Sequence, residues 1–107
     1  MKPVTFLGDS LEALRAFPHG ARREAGLQLD RVQRRLMPDN WKTMKTIGPG
    51  VNEIRVRDEG GAFRVLYIAT FSEAVYVLHA FQKKTQKTAK ADLNLATTRY
   101  KALRKER

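Results

Sequence analysis

The sequence predicts a small α+β fold, in which an N-terminal helical hairpin packs on a small antiparallel sheet and a helix ends the chain. Apolar residues recur at helical spacing over residues 10–36 and again after residue 88. Between them, three segments alternate with period two: residues 51–57, 62–69 and 74–81. Short connections between these segments favour an antiparallel meander. We expect one domain over residues 1–107.

The first forty residues predict the helical hairpin. Residues 4–6 are compatible with a short additional strand, and Ser10 begins a helix that Pro18 ends. A second helix starts at about Ala21. Its predicted apolar stripe has spacings of four, four, three and four: Ala21, Ala25, Leu29, Val32 and Leu36.

The remaining elements follow from turn and cap signals. Residues 41–50 are predicted to form a loop. The turn residues 58–61, Asp-Glu-Gly-Gly, indicate a hairpin between the first two strands of the meander. Thr88 can cap the final helix. We expect one stripe of this helix to pack on the sheet: Leu93, Ala96, Tyr100 and Leu103.

Composition excludes several classes of protein. There is no cysteine, which removes disulfides, thiolate zinc sites and cysteine nucleophiles. The only histidines, His19 and His79, lie in unrelated contexts, so we expect neither a metal nor another cofactor. The chain carries no recognisable signal peptide and no apolar run of membrane-spanning length. We therefore expect a cytoplasmic location and no membrane partner.

The charge points to nucleic acid. The formal net charge is +10 in 107 residues, and an apolar strand runs directly into the lysines of residues 83–87. Cations at the rigid end of a sheet suit a phosphate backbone. A solvated basic face is the competing interpretation, but the charge also occurs at strand ends.

The first two strands place two arginines side by side. Arg55 lies opposite Arg64 if residues 59–60 form a two-residue turn, or if residues 58–61 are all looped out. If residues 60–61 form the turn, Arg57 lies opposite Arg64 instead. Like charges directly opposite each other destabilise a sheet by about 0.2–1 kcal/mol. Either the neighbouring acids, Glu53 among them, neutralise the pair, or the pair is an anion site.

The third strand leaves open which of its residues share the arginine face. Simple alternation places Val75, Val77, His79, Phe81 and Lys83 on one face, and Tyr76, Leu78, Ala80 and Lys84 on the other. His79 and Lys83, or Lys84, can therefore complete the site. His79 also fits a packed position in the core. Trp41, with Lys42 and Lys45, can stack on a base, or anchor its loop by burial.

Three runs of sequence together resemble a known family. They are residues 50–57 (GVNEIRVR), 63–67 (FRVLY) and 77–88 (VLHAFQKKTQKT). These runs, with the order of elements, resemble the phage-derived, HigB-type branch of the RelE/ParE toxin superfamily. The branch often has proline after the last threonine, where this chain has Ala89.

The resemblance implies the toxin of a type II toxin–antitoxin system. The expected activity is metal-free endonucleolytic cleavage of mRNA on the translating ribosome. The expected inhibitor is a small helix-turn-helix, HigA-like antitoxin that covers the basic surface.

The chemistry needs groups for phosphate charge and for proton transfer. We assign phosphate binding to Arg55 and Arg64, and proton transfer or flanking phosphate binding to Lys83 or Lys84. Secondary RNA contacts are expected from Arg57, His79, Lys87, Lys42, Lys45 and Trp41.

Two other functions stay open. The same fold serves ParE-like toxins, which poison DNA gyrase and leave mRNA intact. A non-catalytic basic RNA- or ribosome-binding module would bind with steep salt dependence and cut nothing.

Overall fold

The computed structural model describes residues 1–106, in which three helices pack on a five-stranded mixed sheet. The elements in order are β1 (Val4–Phe6), α1 (Ser10–Arg15), α2 (His19–Gln33), β2 (Trp41–Thr43), β3 (Val51–Asp58), β4 (Gly61–Ile68), β5 (Val75–Lys83) and α3 (Lys90–Glu106). The strand order is β1-β5-β4-β3-β2. β1 runs parallel to β5, and all other neighbours are antiparallel. None of the helices in these residues has the length and apolar character needed to cross a bilayer.

Each face of the sheet carries its own core, because alternate residues of every strand point to opposite sides. On the α2 side, the hairpin packs against strand residues that include Ile54, Val56, Phe63, Val65, Tyr67, Val75 and Val77. On the α3 side, the buried cluster is Ile47, Val51, Leu66, Ile68, Leu78, Phe81, Ala96, Tyr100 and Leu103. The predicted packing of the final helix on the sheet is confirmed.

A β-bulge in β5 changes the side-chain alternation. Leu66 of β4 pairs with His79, but the next residue, Tyr67, pairs with Val77, so Leu78 is an extra residue in β5. Val77 therefore lies on the α2 side, while Leu78 and His79 both lie on the α3 side. The prediction that Val77 and His79 share a face is wrong, because it assumed an uninterrupted pleat.

The sheet is also wider than predicted. Residues 41–43, predicted as loop, form the edge strand β2, which pairs with β3. The three-stranded meander is confirmed, and β1 is present beside β5. The final helix begins at Lys90 rather than directly after Thr88.

The predicted apolar stripe of the second helix is wrong at its last position. Ala21, Ala25, Leu29 and Val32 are buried, but α2 ends at Gln33 and Leu36 is 49% exposed. The end is a Schellman motif, in which Arg35 has φ 67°. The backbone N–H of Arg35 donates to Val32 O (3.0 Å), and the backbone N–H of Leu36 donates to Arg31 O (2.9 Å). The left-handed residue turns the chain away before Leu36 can join the stripe.

Candidate functional site

Two arginines lie directly opposite each other on the α3 side of the sheet. Asp58 pairs with Gly61, so residues 59–60 form the turn and Arg55 is the cross-strand partner of Arg64. This confirms one of the two predicted arginine registers. Arg57 instead pairs with Ala62 and is exposed.

A buried carboxylate lies between the two arginines. Glu53 is 3% exposed, and its Oε1 lies 3.5 Å from Nε of Arg64 and 3.7 Å from Nε of Arg55. The side chain of Arg64 is 6% exposed, whereas that of Arg55 is 37% exposed. One negative charge therefore serves two positive charges, and the cluster keeps a positive excess.

Arg64 is held in a strained electrostatic environment. Burial lowers the pKa of its guanidinium, Glu53 opposes this shift, and the charges of Arg55 and Arg57 add to it. A guanidinium nevertheless stays protonated at physiological pH. Nη1 of Arg64 donates to Phe63 O (3.0 Å). Among residues 1–106 its buried Nε has no hydrogen-bond partner and interacts with Glu53 only through charge.

Next to this cluster, a groove of about 330 Å³ is lined by cationic side chains from four parts of the chain. We call it the cationic groove. Arg55 enters it from β3, Lys42 from β2, Lys83 from the end of β5 and Lys87 from the loop before α3. Its remaining lining is Met44, Thr46, Glu53, Gln86, Thr88 and Leu93. Four cationic side chains around one buried carboxylate favour a polyanionic ligand.

A smaller cleft of about 170 Å³ adjoins the cationic groove, because Arg55 lines both. Arg57, Arg64 and Asn40 complete its polar lining. One guanidinium group can donate hydrogen bonds to two oxygens of the same phosphate. The two depressions together can therefore hold neighbouring phosphates of one strand, with Arg55 between them.

His79 lies outside both depressions. It is 7% exposed, its Nε2 lies 2.7 Å from Oδ1 of Asp92, and its ring stacks on Phe81 with centroids 5.2 Å apart. The contact with Asp92 ties the first turns of α3 to β5. His79 thus has a packing role here, and its predicted contribution to the reaction stays a prediction.

Three other candidates also lie apart from the cationic groove. Lys84 follows the end of β5, is exposed and does not line the groove. Lys45 lines a different groove of about 350 Å³ beside residues 48–52. Trp41 is 40% exposed, so it is not a buried loop anchor, and its pairing with Ile54 places it on the α2 side.

Glu53 is the site residue that the sequence reasoning undervalued. From the sequence, Glu53 is only one of several acids that could neutralise a surface pair. Its position two residues before Arg55 was a usable signal, because residues at i and i+2 of a strand share a face. The other polar lining residues, Thr46, Gln86 and Thr88, lie in loops whose course the sequence does not predict.

Within residues 1–106, no group of three or more histidine or carboxylate side chains is arranged to hold a metal ion. A comparison with protein families was also made. The family described as "Phage derived protein Gp49-like (DUF891)" matches residues 12–101, which is more than half of the chain. No curated protein matched the chain.

Proposed function

Because the chain belongs to the Gp49-like family of phage-derived proteins, a RelE/ParE-like toxin family, we propose that it is the toxin of a type II toxin–antitoxin system. Within that superfamily we assign it to the HigB-type branch. The proposed activity is endonucleolytic cleavage of mRNA on the translating ribosome.

One observation carries the proposal: Arg55 joins a groove lined by lysines to a cleft lined by arginines. Such an arrangement suits a substrate with successive phosphates. Lys42 and Lys87 can bind the flanking phosphates, while Arg55 and Arg64 bind the phosphate that reacts. A gyrase-binding surface would not need cationic side chains to converge on two adjoining depressions.

In the proposed reaction the ribose 2′-hydroxyl gives its proton to a water molecule, and the 2′-oxygen attacks the adjacent phosphorus. The bond between phosphorus and the 5′-oxygen breaks, leaving a 2′,3′-cyclic phosphate and a 5′-hydroxyl. The guanidiniums of Arg55 and Arg64 stabilise the charge that develops on the phosphate oxygens. Lys83 protonates the leaving 5′-oxygen; it is preferred to Lys84 because it lines the groove beside Arg55.

The chemistry of the groove supports dependence on the ribosome. Neither depression is lined by a histidine, so no side chain there has an ordinary pKa close to neutrality. The chain then relies on electrostatic stabilisation and on a substrate that is already bent for in-line attack. The ribosome supplies that geometry, and free RNA is expected to be a poor substrate.

The test is brief induced expression in a bacterium, followed by mapping of mRNA 5′ ends across the transcriptome. Arg55→Ala removes a half-exposed cation from both depressions. Its matched control is Arg23→Ala, which removes an exposed arginine of α2, on the other side of the sheet. Arg64→Ala is a second test, to be judged only after its folding has been measured, because Arg64 is buried.

We expect cuts within translated regions, with a bias in codon phase, for the unsubstituted chain and for Arg23→Ala. Arg55→Ala should reduce cutting by at least tenfold. Growth arrest with intact mRNA would replace the ribonuclease proposal by gyrase poisoning. If folded Arg55→Ala and folded Arg64→Ala both cut normally, the site is wrong.

A further inference from the structure

An exposed apolar surface lies where α2 ends. Leu36 and Met37 are 49% and 45% exposed, and Trp41, also on the α2 side, is 40% exposed. Leu36 and Met37 line a groove of about 270 Å³, which we call the α2-side groove. Its other lining residues are Lys2, Val32, Arg35, Asn52, Tyr67 and Ala69. Large apolar side chains clustered at a groove are typical of a protein-binding surface.

The charges at this groove are all positive. Lys2 and Arg35 line it, and no carboxylate does. Within residues 1–106 neither cation forms an ion pair, whereas the neighbouring Arg31 and Arg34 are paired with Asp39 and Asp30. The groove therefore presents apolar surface bordered by uncompensated positive charge, which complements an apolar side chain flanked by carboxylates.

Arg35 occupies a backbone position that favours glycine. Its φ of 67° lies in the left-handed region, which costs an L-residue with a Cβ about 1 kcal/mol or more. Glycine would close the same Schellman motif without that cost. The chain instead keeps a guanidinium at the border of the groove, which fits a role for this charge in binding.

The α2-side groove and the cationic groove lie on opposite faces of the sheet. Asn52 and Tyr67 are cross-strand partners on the α2 side, while Glu53 and Arg55 point to the α3 side. Nucleic acid is a poor occupant here, since the aliphatic side chains of Leu36 and Met37 neither stack on bases nor donate hydrogen bonds. A protein ligand fits better.

We propose that the α2-side groove anchors the antitoxin, through a segment that inserts an apolar side chain and places carboxylates beside Lys2 and Arg35. This inference rests on the proposed toxin function. The proposed contact lies away from the RNA site. The antitoxin therefore either binds both faces of the sheet or inhibits the toxin without covering the cationic groove.

The probe is the protein encoded beside the toxin gene, co-expressed with the full chain. Leu36→Glu and Met37→Glu each introduce a negative charge at an exposed position, where it would repel the proposed carboxylates of the antitoxin. Leu27→Glu is the matched control, because Leu27 is 54% exposed on α2 but does not line the groove. Two readouts are taken: the affinity of the purified pair, and rescue of growth by the neighbouring protein.

We expect the groove variants to arrest growth as the unsubstituted chain does, to escape rescue, and to bind at least tenfold more weakly. Leu27→Glu should still be rescued. The proposal is overturned if the groove variants bind normally, if the neighbouring protein does not bind the unsubstituted chain, or if Met37→Glu instead dissociates a homodimer. Growth arrest with intact mRNA would refute the ribonuclease function alone, since the binding comparison does not depend on RNA cleavage.

Discussion

Replacing Glu53 by glutamine should destabilise the chain strongly, although the two side chains have nearly the same shape. At an effective dielectric constant of about 20, unit charges 3.5 Å apart attract by roughly 5 kcal/mol. Removing one member of a buried pair costs about 3–5 kcal/mol, because the other charge stays buried without compensation. The glutamine oxygen retains a partial negative charge, so we expect a loss of about 3 kcal/mol in the free energy of unfolding.

The assays are urea denaturation and thermal unfolding of the purified chain, both monitored by circular dichroism. At about 4 °C per kcal/mol for a chain of this size, the melting temperature should fall by roughly 12 °C. A loss below about 1 kcal/mol would refute the argument, since that is the range of exposed pairs. It would mean that solvent, and not Glu53, compensates Arg64.

Arg55→Gln is the matched control for this experiment. The same carboxylate loses a partner, but Arg55 is half-exposed and repels Arg64. We expect a change within about 1 kcal/mol in either direction. The double variant should be more stable than Glu53→Gln alone, because Arg64 then faces one positive charge fewer. If Arg55→Gln were as damaging as Glu53→Gln, burial of Arg64 would not explain the effect.

Four further predictions concern the scaffold. Arg35→Gly should raise the free energy of unfolding by about 0.5–1 kcal/mol in urea melts, because it relieves the left-handed residue. Gly26→Ala should stabilise by a similar amount, because the added Cβ would enter open space on α2. Gly48→Ala should cost about 1–3 kcal/mol, because the added Cβ would overlap the ring of Tyr100. Burial raises the pKa of the Tyr67 hydroxyl above 10.0, so the unfolded chain loses this proton at lower pH than the folded chain. The free energy of unfolding therefore falls as the pH rises past 10. Tyr67→Phe should make this fall smaller, as measured by the urea midpoints at pH 8 and pH 11. Equal midpoint losses in the two chains would contradict it.

The sequence predicts those parts of the site that are set by neighbouring residues, such as a turn. The pairing of Arg55 with Arg64 was within reach, because a two-residue turn fixes the register of a hairpin. The bulge at Leu78 was not, since residues 75–81 are apolar at nearly every position and fit either face. The sequence therefore named Lys83 and His79 as candidates without deciding whether they face the arginines.

The two errors at the edges of the helices and sheet have one cause. β2 has only three residues, all exposed, so neither alternation nor a run of apolar residues marks it. Leu36 continues the spacing of α2, but a single left-handed residue before it ends the helix. In both places, the structure is decided by backbone hydrogen bonds to distant or non-helical partners, which leave no periodic pattern in the sequence.

The pleat of β5 after its extra residue makes the cationic groove depend on residue count as well as on residue identity. On both sides of Leu78 the pairing with β4 is regular: Val77 lies opposite Tyr67 on the α2 side, and His79 lies opposite Leu66 on the α3 side. Loss of Leu78 would leave Val77 and His79 as neighbours that already lie on opposite faces, so β5 would pair with β4 without a bulge and Lys83 would stay on the α3 side. Insertion of one residue between His79 and Lys83, with no second bulge to absorb it, would instead carry Lys83 to the α2 side, away from the groove, while leaving every lysine in the chain.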